Sequence, residues 1–157
     1  MVVTVEPGTD NPTRPTTAVA DSNWPRRTTV SELTLGGIVK HLATGEEMWT
    51  RIMSERDGEL PDGMLEVAQY RMAEDDTLPA LLERYASAAR ATEEAVSALP
   101  DLDVSVPLPK TPWSPPEPEF RSARRILLHL IRETAQHAGH ADLVRETLDG
   151  ANTTAQR

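Results

Sequence analysis

From Thr34 onward, apolar positions recur at helical spacing: Leu35, Ile38, Leu42, Met48, Trp49 and Ile52, with Thr34 placed to cap the first turn. The pattern predicts a helix over about 35–54. Gly58, Pro61, Asp62 and Gly63 then break the chain, and the apolar-polar run from Met64 to Met72 does not fix its own type. A second helix is predicted after Thr77, with Pro79 tolerated in its first turn, through Leu81, Leu82, Tyr85, Ala88, Ala89, Val96 and Leu99 to the stop at Pro100. Residues 101–118 hold Pro107, Pro109, Pro112, Pro115, Pro116 and Pro118 around Trp113, which makes a stiff, extended connection across the surface. The last helix should run from near Ser122 to about Leu148, roughly 40 Å at 1.5 Å per residue. Gly150 would supply its left-handed terminus. There is no internal repeat and hardly a β signal. The fold class read from this pattern is all-α, an antiparallel up-down helical bundle.

Ahead of the pattern, residues 1–29 are rich in proline and threonine and have no 3.6-residue apolar period, so they bury too little surface to offset ordering entropy. A disordered tail is expected there, then one bundle domain over 30–150, with 151–157 as a disordered C-terminal tail. At 157 residues the chain suits a single domain.

Charge and composition narrow the function. A formal charge of −9 and a pI near 4.9 would repel a phosphate backbone. The doublets Arg26-Arg27 and Arg124-Arg125 are read as solvated surface. Nucleic acid is not an expected partner. With no cysteine, thiolate nucleophiles, disulfides and Cys-ligated zinc are excluded, so any metal must use nitrogen and oxygen donors. The opening residues lack a basic, then apolar, leader pattern, and no later run approaches a membrane span, so a cytoplasmic protein with no membrane partner is expected.

The last predicted helix carries the stripe Ile126, Leu130, Glu133, His137, Ala141, Val144 and Leu148, spaced by three and four. Two ionisable groups stand in an apolar row. A buried carboxylate needs a cation or strong donors, and Glu133 and His137 at i and i+4 can converge on one ion. His41, beside Leu42 and one turn after Ile38, is the third candidate. Two histidines and one glutamate would leave a coordination position open for water or substrate. The spacing fits equally well a plain Glu133–His137 ion pair with His41 as a satisfied border histidine. His129, one turn before Glu133, reads as a solvated flank residue or an outer donor, and His140 as a group beside the ligands or facing substrate. Glu46-Glu47 and Asp75-Asp76 read as solvated pairs whose members point apart. Gly36-Gly37 reads as a close helix approach, Trp49 as core, and Trp113 as a cover over the core.

Taken together, Leu33-Thr34-Leu35-Gly36-Gly37-Ile38-Val39-Lys40-His41-Leu42, Pro112-Trp113-Ser114-Pro115-Pro116 and the run from Arg125 to Leu143 resemble the DinB-like superfamily of metal-binding four-helix bundles. The branch is that of mycothiol-dependent maleylpyruvate isomerase, and the resemblance covers roughly residues 28–150. It implies His41, Glu133 and His137 as ligands of one divalent metal, zinc first, with nickel, iron or manganese as alternatives; many members carry histidine where Glu133 stands. It further implies mycothiol or a similar low-molecular-weight thiol as co-substrate, a small-molecule substrate, and transferase or isomerase chemistry, with His140 as the candidate catalytic acid/base. One departure stands out. The amphipathic first helix of such bundles is missing or replaced by the proline-rich tail, which would leave an apolar groove open or filled by a partner chain in a homodimer. A non-catalytic metal-binding or stress-related protein of the same fold, or an inactive remnant, is the alternative.

Overall fold

Thr34 is extended (φ −129°, ψ 160°) and its hydroxyl accepts the Gly37 N–H at 3.0 Å, which starts helix α1, Leu35–Glu55. The computed structural model describes residues 21–150 and residue 152, so the part of the expected N-terminal tail that falls on residues 1–20 lies outside the described residues. After α1 the chain turns at Arg56, a left-handed residue (φ 50°), passes Gly58 and Gly63 at positive φ, and makes a short 3₁₀ turn at Val67–Tyr70. That turn resolves the segment whose type the pattern left open. Helix α2, Leu78–Ser97, begins with the Thr77 hydroxyl accepting from Ala80 N–H at 3.4 Å and with proline in its first turn. Helix α3, Ala123–Asp149, is capped by Ser122 and ends at Gly150, whose φ is 69°.

One element escaped the pattern. Strands β1 (Ser105–Pro107) and β2 (Phe120–Ser122) pair antiparallel, with Val106 opposite Arg121. The pairing is extended by Leu108 N–H to Glu119 C=O (2.8 Å) and Ala123 N–H to Val104 C=O (3.1 Å). Three-residue strands are too short for a period of two to show among prolines.

α1 packs against both α2 and α3. Its distal half builds the core cluster: Ile52 and Met53 meet Val106, Ala123 and Ile126, all at most 2% exposed, with Trp49, Ala95, Val96 and Leu99 packed around them. Val106 of the hairpin closes this cluster, so Trp113 is not its cover. Trp113 is 72% exposed, on a turn fixed by Thr111 and Ser114 and by Lys110 donating to the carbonyls of Pro115 and Pro116.

A polar seam joins α1 to α2. Arg84 forks onto Glu47 (2.8 and 2.5 Å) and reaches the Thr44 hydroxyl; Thr50 donates to Thr92, which donates to Glu46 at 2.9 Å. Lys40 pairs with Asp76 at 2.7 Å. Glu46 and Glu47 are not a solvated pair pointing apart: both reach α2, and Asp76 ties its loop to α1. Leu128, Ile131 and Leu143, 55–64% exposed, form an outward apolar stripe on α3 that no helix among the described residues covers.

Candidate functional site

Every member of the α3 stripe from Ile126 to Leu148 is buried or half-buried, so Glu133 and His137 face inward as the spacing predicts. His137 is 9% exposed. Across from them α1 presents His41 from its second turn, and one donor atom from each of His41, Glu133 and His137 lies within 4.8 Å of the others. The His41 and His137 rings meet edge to face, centroids 4.9 Å apart.

The hydrogen bonds fix what each group can offer. Gln69 donates its amide N–H to Met64 C=O (2.9 Å), which leaves its Oε1 as the acceptor that faces His41 Nδ1 at 3.3 Å. His41 therefore carries its proton on Nδ1 and presents a bare Nε2. Tyr70 stacks on the same ring at 4.3 Å. Both residues come from the 3₁₀ turn, held close because Gly36 and Gly37 have no side chain: a Cβ on Gly37 would collide with Tyr70 C=O, and one on Gly36 with Met72 Sδ. The close helix approach read from the Gly-Gly pair is thus what brings Gln69 and Tyr70 to the site.

Glu133 divides its oxygens. Oε1 accepts from Arg132 at 2.7 Å, and Oε2 faces His137 Nε2 at 3.8 Å. Burial pushes its carboxyl up, but the Arg132 hydrogen bond and the nearby positive charge of His129, Arg132 and His137 hold it below the ordinary carboxylate range. Burial lowers His41, against the pull of Gln69 and Glu133. It also lowers His137, helped by the neighbouring His41 and His140. At neutral pH the cluster is two neutral imidazoles and one carboxylate, the protonation state a metal ion requires.

His140 sits on the far side of His137, with the two Nδ1 atoms 3.4 Å apart. His129 is not the solvated flank residue the sequence suggested. It packs edge-on against Trp49 (4.9 Å), accepts from Arg132 at Nδ1 (2.9 Å) and faces Glu133 Oε1 at 3.8 Å. Its position one turn before Glu133 was the available signal; Gln69 and Tyr70 gave none.

The cluster lies between two clefts. His41 and Glu133 border one of about 260 Å³ with Trp49, Gln69 and Thr134, and His137 and His140 border another of about 580 Å³ with Leu33, Leu143 and Val144; Tyr70 borders both.

A family model described as mycothiol-S-transferase matches residues 17–150. The chain belongs to the mycothiol-S-transferase family. This is a DinB-like family, in agreement with the resemblance seen in the His41, Trp113 and Glu133–His137 segments. No curated protein and no solved structure matches the chain. For a mycothiol-S-transferase family member, the donor set fits a divalent ion in type. Ligands about 2.1 Å from a tetrahedral ion stand about 3.4 Å apart, so the three side chains need close only by rotamer adjustment around a position left free for a fourth ligand. Among the described residues no helix is long and apolar enough to cross a membrane.

Proposed function

We propose that this protein is a metal-dependent transferase that joins the sulfur of mycothiol, or a similar low-molecular-weight thiol, to an electrophilic small molecule. The convergence of His41, Glu133 and His137 between two clefts carries the reading, and the family match supplies the thiol. A divalent ion held by these three groups would lower the pKa of a thiol bound at the open position, so that thiolate is available at neutral pH.

The chain's own groups do the rest. Gln69 keeps the His41 proton on Nδ1, so Nε2 stays a donor. Arg132 holds Glu133 Oε1, which aims Oε2 at the ligand position beside His137. The wider cleft admits the thiol past Leu143 and Val144. With His137 ligating through Nε2, its Nδ1–H donates to His140 Nδ1, so neutral His140 holds its own proton on Nε2 and stands as the acid beside the open position, while the thiol proton leaves to solvent. The C–S bond forms as the leaving group departs with its electron pair; where the acceptor is an activated double bond, the proton returns to carbon instead.

Metal analysis of purified wild type against His41→Ala and His137→Ala, followed by mycothiol conjugation to 1-chloro-2,4-dinitrobenzene, tests this. One equivalent of tightly held ion and metal-dependent chloride release in the wild type alone are expected. No uptake by the wild type would overturn the metal centre; uptake without thiol turnover would leave a metal-binding protein of the same fold.

A further inference from the structure

Beyond Trp49 and His129, which also border the narrower of the two site clefts, lies a separate hollow of about 330 Å³. Its walls are apolar, from Leu128 and the two rings of Trp49 and His129 set 71° apart, which gives a flat body one face to stack on and one edge to meet. Its edge is cationic. Arg121, Arg125 and Arg132 line it, in a chain whose net charge is −9.

The three guanidinium groups differ in what they already hold. Arg132 is shared with Glu133 and His129, and Arg121 donates to Phe120 C=O at 3.2 Å and reaches Glu119 at 3.4 Å. Arg125 makes no side-chain hydrogen bond or ion pair among the described residues; its backbone N–H serves the Ser122 cap. An unpaired guanidinium at the rim of an apolar hollow, over the first turn of α3 where the helix adds partial positive charge, is suited to a planar anion held by two parallel N–H bonds.

We propose that this hollow binds a flat aryl anion, an aromatic carboxylate, its ring against Trp49 and its carboxylate on Arg125 with help from Arg121. Its role as the site for the acceptor of the thiol rests on the transferase reading above; its capacity to bind does not. Because Trp49 and His129 belong to both hollows, a ring seated here has its far edge toward the His41–Glu133 side.

Calorimetric titration of the full chain with 1-naphthoate and with the neutral 1-naphthalenemethanol, metal-free and zinc-loaded, decides the matter. Naphthoate should bind at least about tenfold more tightly than the alcohol, with the preference reduced about threefold by Arg125→Gln, lost in Arg121→Gln/Arg125→Gln, better kept by Arg125→Lys and unchanged by Arg90→Gln on α2. Arg90, Arg121 and Arg125 are all exposed, and circular dichroism confirms each variant folded. Equal binding of the two probes, or a preference that survives the double substitution, would overturn the proposal. The two readings separate cleanly. If His137→Ala loses metal and turnover but still prefers naphthoate, the hollow stands whatever becomes of the transferase. If the wild type conjugates 1-chloro-2,4-dinitrobenzene and 4-chloro-3,5-dinitrobenzoate with equal kcat/KM, releasing chloride as the C–S bond forms, the transferase stands and the hollow is not its acceptor site.

Discussion

His41 Nδ1 stands 3.3 Å from Gln69 Oε1, and that contact selects which nitrogen of the imidazole is left bare. Gln69 belongs to a short 3₁₀ turn, not to a bundle helix, so the tautomer of a ligand candidate on α1 is set by a loop. Replacing Gln69 by Leu should therefore weaken zinc about 10–100-fold in a competition titration, with little change in thermal stability, since outer partners of metal-bound histidine are worth about that much. An unchanged zinc affinity would show that Gln69 does not orient the ring.

The same histidines make an acid-sensitive pair. In the metal-free protein, His41 and His137 should titrate below 6.5 by NMR, because burial disfavours their charged forms. Folded pKa values lower than unfolded ones mean that the unfolded chain takes up protons first as pH falls. Stability from these groups is thus full above 6.5 and declines as pH drops from there through the folded values. Urea unfolding of metal-free protein between pH 7.5 and 5 should show the decline, and His137→Gln should flatten it.

Asp76 works in the opposite sense. Partial burial pushes its carboxyl up, but the Lys40 hydrogen bond, the Ala73 N–H and the charges of Lys40 and Arg84 pull it further down. Its contribution is present above the unfolded value of 3.8 and lost as pH falls through the lower folded one. Asp76→Asn should cost about 1 kcal/mol at pH 7 and much less in strong acid, measured by chemical unfolding.

Two glycines of α1 should respond with opposite signs. A Cβ on Gly45 would meet nothing within 4 Å, so Gly45→Ala should stabilise by about 0.5–1 kcal/mol through the better helix propensity of alanine. Gly37→Ala drives a methyl into Tyr70 C=O, a backbone atom that cannot swing aside, and should cost about 1–3 kcal/mol while loosening Tyr70 and Gln69 from His41. Melting temperatures of the two variants check the pair.

How legible the fold and the site are in the order of residues depends on how local each signal is. Thr34, Thr77 and Ser122 announce their helices because a cap acts over three residues, and Gly150 marks an end because only a left-handed residue fits there. The inward face of Glu133 and His137 follows from spacing along one helix. The β1–β2 pairing joins residues far apart in sequence through strands too short to show alternation. Gln69 reaches His41 across 28 positions from a segment with no period of its own. Arg125 reads as half of a solvated doublet because nothing in the sequence shows that Trp49 and His129 build a hollow beneath it.

The core cluster of Ile52, Met53, Val106 and Ile126 joins the distal end of α1, strand β1 and the start of α3, whereas His41 stands near the start of α1 and His137 and His140 lie from the middle of α3 onward. The candidate ligands therefore stand apart from this cluster, and Trp49, packed on it and bordering both the narrower cleft and the hollow, is where the two parts meet. A lineage built on this arrangement can exchange a ligand or reshape a cleft wall while the far end continues to hold the helices together, so new chemistry can be sampled without first surviving a loss of structure.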